Sequence, residues 1–258
     1  MLFIQKKQRE FYLNKQKQIK AQNDYGVFTF LLYSPAEELA LNILPASLTR
    51  LIFLSTFLSF NGWLVTDENQ SIDKGLCREI LNLSDDTFLN FWNEMIRENI
   101  FTYKNNRIYL NKNIFIKGDL NGNAKAMRLN CETVRYLYNH CQSISGHKNL
   151  SYIFKIIPWV NRSWNIVCWN PEEKERRFIE YMKLGDFAEK VGYSRSHAKK
   201  LADALKKVKF RSHGEYRDKR AFLYIVDDSF KPDEWLIVFN PLVFYAGDNY
   251  QCVKGFEF

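Results

Sequence analysis

Two stretches of this chain carry the same order of elements, and that repetition constrains the fold more than any other feature. In the first, Ala46–Phe60 (ASLTRLIFLSTFLSF) reads as an apolar helix closed by Asn61-Gly62, and Trp63–Thr66 as a short strand. Asp73 caps a helix running to about Leu81, Asn82-Leu83-Ser84 makes a tight turn, and a longer helix covers Ser84–Glu98. Ile100–Tyr103 and Ile108–Leu110 then flank Asn105-Asn106 as a hairpin. In the second stretch, Leu150–Ile157 is helical up to Pro158, and Trp164–Trp169 is a strand. Glu172–Met182 begins a helix or a charged connector, and helices Leu184–Val191 and Ser194–Val208 meet at Gly192. Lys209–Ser212 and Ala221–Val226 flank the tip His213-Gly214-Glu215 as a second hairpin, and Trp235–Phe239 adds a strand.

Helix, strand, helix, turn, helix, hairpin is the order of a winged helix-turn-helix. The expected fold is α+β and mainly helical: two tandem winged helix-turn-helix domains behind a basic N-terminal arm. The arm is residues 1–25, helical or disordered; the domains are 26–120 and 124–258, divided at the turn-prone Asn121-Gly122-Asn123. Before the first repeat, Val27–Tyr33 suits a strand, and Pro35 with Glu37 and Glu38 suits the start of a helix. Cys131–Cys141 also reads as helical.

The net charge of +8 is unevenly placed along the 258 residues. Lys174–Arg220 holds 15 basic and 7 acidic residues, and Lys6, Lys7, Arg9, Lys15, Lys17 and Lys20 oppose only Glu10 in the arm. The rest of the chain is therefore mildly acidic. Charge gathered this way favours an anionic polymer as partner. No apolar run approaches the length of a membrane span, and Lys6, Lys7 and Arg9 interrupt the apolar start, so neither membrane insertion nor secretion is expected. The five cysteines are odd in number and form no CxxC pair, which suits reduced thiols in a cytoplasm.

The strongest signal lies at Val191-Gly192-Tyr193-Ser194. Gly192 permits the positive φ that ends one helix, and Ser194 can accept from the amides that open the next. Ala198, Leu201, Ala202, Leu205 and Val208 share one face. Turned inward, they leave Ser196, Lys199, Lys200, Asp203 and Lys207 outside, with Arg195 on the flank. A recognition helix presents its N-terminal residues to base edges, so Arg195, Ser196 and Lys199 are the base-reading group, Lys200, Lys206 and Lys207 suit phosphates, and His197 is a further DNA-binding candidate. Arg211, His213, Arg217, Lys219 and Arg220 make the following hairpin a basic wing. The plainer alternative is a solvated lysine-rich helix.

The first repeat gives a weaker version. With Phe88, Trp92, Met95 and Ile96 inward, Asn90, Asn93 and Arg97 face out and could meet adenine edges and phosphate. Asp85, Asp86, Glu94 and Glu98 oppose that, so a packing or dimerisation scaffold competes with DNA reading here.

Catalytic signatures are missing: there is no GxxxxGK[ST], GxGxxG, HEXXH or paired-histidine nicking motif, so the chain is expected not to be an enzyme and to need no cofactor. Cys131, His140, Cys141 and His147 match no common zinc spacing and read as two buried thiols and two surface histidines, so no metal is expected.

LTRLIFLSTFLSFNGWLV (48–65), LSDDTFLNFWNEMIRENI (83–100), KNLSYIFKIIPWVNRSWNIVCWNP (148–171), GYSRSHAKKLADAL (192–205) and FNPLVFYAGDNY (239–250) together resemble helix-turn-helix proteins encoded by phages and plasmids of low-GC Gram-positive bacteria. The resemblance implies a tandem winged-helix DNA-binding protein of phage or plasmid regulation or replication, in the bacterial cytoplasm. The leading expectation is a sequence-specific double-stranded DNA-binding transcription regulator, repressor or activator. An origin-binding replication initiator is one alternative. The other is a protein that sequesters a host replication or transcription factor through its first domain. A homodimer is expected because paired half-sites raise specificity, with Phe239–Phe258 as its interface.

Overall fold

An antiparallel pair of strands at the centre ties the two halves of the chain together. The computed structural model describes residue 9 and residues 26–120, 125–141, 143–211, 218–225 and 236–247. The basic arm apart from Arg9, the break 121–123, the hairpin tip with His213 and Arg217, and most of the aromatic tail lie outside the described residues. The first half runs β1 (Phe28–Leu32), α1 (Tyr33–Asn42), α2 (Pro45–Ser55), α3 (Lys74–Leu81), α4 (Asp85–Arg97), β2 (Phe101–Lys104), β3 (Arg107–Leu110) and β4 (Phe115–Ile116). The second runs β5 (Ala126–Asn130), α5 (Cys131–His140), α6 (Ile144–Lys155), α7 (Leu184–Lys190), α8 (Ala198–Leu205), β6 (Lys209–Phe210), β7 (Lys219–Arg220), β8 (Phe222–Ile225), β9 (Leu236–Phe239) and β10 (Phe244–Tyr245). The fold is α+β, with helices around small antiparallel sheets.

The halves repeat one another hydrogen bond by hydrogen bond. In the sheet β10-β5-β1-β4, the inner pair β1 and β5 exchange symmetric bonds: Tyr33 N donates to Lys125 O (3.0 Å), and Cys131 N donates to Val27 O (2.8 Å). Leu31 pairs with Phe115 on one side, and Leu129 with Phe244 on the other. Further along, Leu64 N donates to Ile108 O and Val167 N to Ile237 O, both at 2.9 Å. Asn111 N bonds Ile100 O (2.9 Å), as Asn240 N bonds Ala221 O (3.0 Å). Even the turns coincide: Asn82 (φ 51°) and Gly192 (φ 78°) occupy the same left-handed link between consecutive helices. These pairings define an approximate twofold axis within one chain, passing through the β1–β5 pair and between α2 and α6.

Helices α2 and α6 pack along each other, and Thr49 Oγ1 donates to His147 O (2.7 Å) across them. Leu51, Ile52, Leu54, Ile153, Ile156 and Ile157 are completely buried there, in a core cluster that runs without interruption from Leu31 to Phe244. Burying one such side chain contributes roughly 1.5–3 kcal/mol, so each half depends on the other for a large part of its core.

Several expectations are corrected. Helix α1 begins at Tyr33, with Pro35 two residues inside, where no backbone bond is lost. Helix α2 ends at Ser55 because Thr56 and Phe57 turn back on Phe53 and Leu54, which exposes Phe60. The charged connector after Trp169 contains a single 3-10 turn, Arg176–Phe178. Ser194–Val208 is a 3-10 turn, Arg195–His197, followed by the shorter α8, and the Ser194 hydroxyl meets Ser196 Oγ (2.8 Å) with no capping bond.

The second hairpin is two hairpins. Lys209 and Phe210 pair with Arg220 and Lys219, whereas Phe222–Ile225 pairs with Leu236–Phe239. Ala221 N bonds Val208 O, and the buried Phe222 and Phe239 rings meet at 5.4 Å, which fixes the switch of partner. The counterpart of the Asn105-Asn106 hairpin is therefore β8–β9, and β6–β7 is an insertion that the first half lacks.

His147, expected at the surface, is 3% exposed and stacks on Tyr138 at 4.4 Å between the halves. Burial, with the Arg50 guanidinium nearby, pushes its pKa down from 6.5 to about 4. The unfolded chain takes up this proton below pH 6.5 and the folded chain does not, so stability falls as pH drops through that window. Urea unfolding should show about 2 kcal/mol of stability lost between pH 6.5 and 5 that His147→Gln retains. An unchanged pH slope in the variant contradicts the placement.

Candidate nucleic-acid interface

The outward face of α8 is a basic surface of the second half. Ala198, Leu201, Ala202 and Leu205 are buried, with Val208 beyond them, while Ser196, His197, Lys199, Lys200, Asp203 and Lys207 are exposed, as the helical spacing requires. Helix α7 holds α8 from behind through Phe187 and Ala188, and Tyr193 N donates to Ala188 O (2.8 Å) to close the turn. Lys199, Lys200 and Lys207 form no ion pair among the described residues.

Two adjoining depressions meet at Ala204 and Lys207. One is lined by Ser196, His197, Lys199, Lys200 and Asp203, and the other by His140, Cys141, Gly146, Asn149, Val208 and Lys209. The second brings in the end of α5 and the start of α6, which sequence spacing had not linked to this face. The inserted β6–β7 hairpin stands beside it: Lys209 and Arg220 are exposed, Lys219 is half-buried, and Arg211 is bound to Asp218 at 3.1 Å.

Arg195 does not point outward as a free reader. Its guanidinium holds Asp186 (2.6 Å) and Glu189 (3.0 Å) on α7, and its stem lies against Gly185, where an added Cβ would come within 3.0 Å of it. The two carboxylates hold its pKa above the usual arginine value. The first half has an ion pair at the same junction with its polarity reversed: Asp85, the counterpart of Arg195, is bound by Arg78 of α3. In both halves this position ties the second helix to the first.

Helix α4 differs from its expected form in two ways. Ile96 is 39% exposed, on the outward side with Asn93 and Arg97. Two of the helix's four carboxylates are also ion-paired, and a third is buried. Asp85 is paired with Arg78, Glu98 with Arg97 (2.8 Å), and the buried Glu94 accepts from Leu44 N (2.8 Å). The exposed face is thus Asp86, Leu89, Asn90, Asn93, Ile96 and Arg97. Lys104 and Arg107 stand exposed on the neighbouring hairpin, Arg107 lying over Trp63 at 4.6 Å.

Groups of histidine, cysteine and carboxylate able to hold a metal do not occur among the described residues, and no described helix is long and apolar enough to cross a membrane. Nothing among protein-family models, curated proteins or solved structures matches this chain.

The α7–α8 clamp is testable by charge exchange. Arg195→Asp should lower the melting temperature, and adding Asp186→Arg should restore part of the loss; thermal unfolding followed by circular dichroism reads both. Equal melting temperatures for the wild type and Arg195→Asp contradict a clamp.

Proposed function

We propose that this chain is a sequence-specific double-stranded DNA-binding protein, built from two winged helix-turn-helix units and acting as a phage or plasmid transcription regulator. The observation that carries the reading is the outward face of α8. Lys199 and Lys200 on the helix and Lys207 just beyond its end form no ion pair among the described residues; the helix follows a tight left-handed turn, and a basic hairpin stands beside it. Such a helix fits the major groove, where Ser196, His197 and Lys199 near its start meet base edges and Lys200, Lys206 and Lys207 meet phosphates. Arg195 moves from reading to positioning. The inserted β6–β7 hairpin takes the flanking contacts through Lys209, Lys219 and Arg220.

The internal twofold supplies within one chain the paired arrangement that a homodimer would otherwise provide. The same reading serves an origin-binding initiator, from which a regulator is separated only by the position of the bound site. No observation favours sequestration of a host protein.

Gel retardation with fragments of the host element should reveal one preferred site at physiological salt. Lys200→Ala with Lys207→Ala should weaken binding to all duplexes and reduce the slope of log affinity against log salt by about 2, whereas Lys199→Ala should relax sequence preference. Uniform weak binding to every fragment, or an unchanged salt slope, contradicts the reading.

A further inference from the structure

We propose that one copy of this chain reads two unlike half-sites on a single duplex, in inverted order, with α4 reading an A·T block through Asn90, Asn93 and Leu89. The inference rests on the DNA-binding reading above and adds a second reading head with its own base preference. Its first support is the internal twofold. The symmetric bonds Tyr33 N to Lys125 O and Cys131 N to Val27 O relate β1 and β5 by a twofold rotation, and the matched bonds Leu64 N to Ile108 O and Val167 N to Ile237 O repeat that relation toward the two helix pairs, as inverted half-sites on one duplex would require.

The second support is the register between the heads. Counting from the matched turns at Asn82 and Gly192, Leu89 stands where α8 has Lys199, Asn90 where it has Lys200, Asn93 where it has Asp203, and Arg97 where it has Lys207. The spacing of the buried residues is shared, although α4 is continuous from Asp85 where its counterpart opens with the 3-10 turn Arg195–His197 and ends at Leu205; the outward chemistry is not shared. Asparagine pairs bidentately with the N6 and N7 edge of adenine, and an exposed aliphatic side chain fits the thymine methyl group. Asn90 and Asn93 are exposed, their side chains form no hydrogen bond among the described residues, and Leu89 is 48% exposed beside them.

Of the carboxylates that would repel phosphate, Asp85 and Glu98 are ion-paired with Arg78 and Arg97, and Glu94 is buried and accepts from Leu44 N. Asp86 is the exception; it stands where α8 has Ser196 and can accept from a cytosine N4 at the edge of the block. Lys104 and Arg107 on the β2–β3 hairpin supply the backbone contacts.

The experiment is selection of random duplexes by the full chain near physiological salt, repeated with Asn90→Ala/Asn93→Ala. Sedimentation of the selected complex counts chains and duplexes. The expected site has two dissimilar blocks, one of them A·T. The double variant loses the A·T preference alone, binds the selected site about 10–100-fold more weakly, and sediments, like the wild type, as one chain per duplex. A site with one block unaffected by the double variant overturns the inference while leaving DNA binding by α8 intact. Two chains per duplex, or one chain joining two duplexes, does the same. Failure to enrich any duplex removes the DNA-binding reading itself.

Discussion

The antiparallel pairing of β1 with β5 is the constraint on which the rest depends. The amide that opens the helix after each strand donates to the carbonyl just before the partner strand, and each strand carries its own edge strand, β4 or β10. Register is strongly specified because the inward residues Leu31, Met127 and Leu129 lie in the main core, while Phe28, Phe30 and Tyr245 fill a smaller cluster on the other side. A slip of one residue would exchange those sets. Helices α1 and α5 leave these strands, α2 and α6 follow them and pack on each other, and that contact joins the two halves in one core.

Given that frame, divergence is free to occur on the outside. The buried positions of α4 and α8 keep apolar character: Phe88, Phe91, Trp92 and Met95 in one, Ala198, Leu201, Ala202 and Leu205 in the other. The smaller buried residues of α8 belong to the same core cluster as the mutually packed rings of Phe187, Phe222 and Phe239. The outward residues share almost no chemistry, and the inter-helix ion pair persists with exchanged signs. What is held fixed is the spacing of the buried residues; what differs is the chemistry of the outward faces.

Much of the fold was legible in the sequence because its signals are local. The Asp73 cap, the left-handed Asn82 and Gly192, and the Asn105-Asn106 turn each act over a few residues, and each stands where it was expected. The partner of Ala221–Val226 was not legible, since strand pairing is decided by which rings bury together, and residues 209–212 alternate just as well. A signal for the true register was present in the matching NxxxF of Asn111–Phe115 and Asn240–Phe244, whose asparagines both accept from the amide two residues on. At the candidate site, the outward lysines of α8 followed from helical spacing. The capture of Arg195 did not, because Asp186 and Glu189 reach it from another helix. His147 and Glu94 were misjudged for the same reason: their burial is created by the opposing half or by a distant loop.

The central claim, that the exposed lysine face of α8 is where duplex DNA lies, is tested most directly by lysine footprinting. The chain is acetylated with and without its selected duplex, and modification is read residue by residue by mass spectrometry. Lys199, Lys200, Lys207 and Lys209 should become shielded, while Lys125, held by Glu172 at the central sheet, should stay as reactive as before. Shielding that spares the α8 lysines, or that falls mainly on Lys125, would contradict the account.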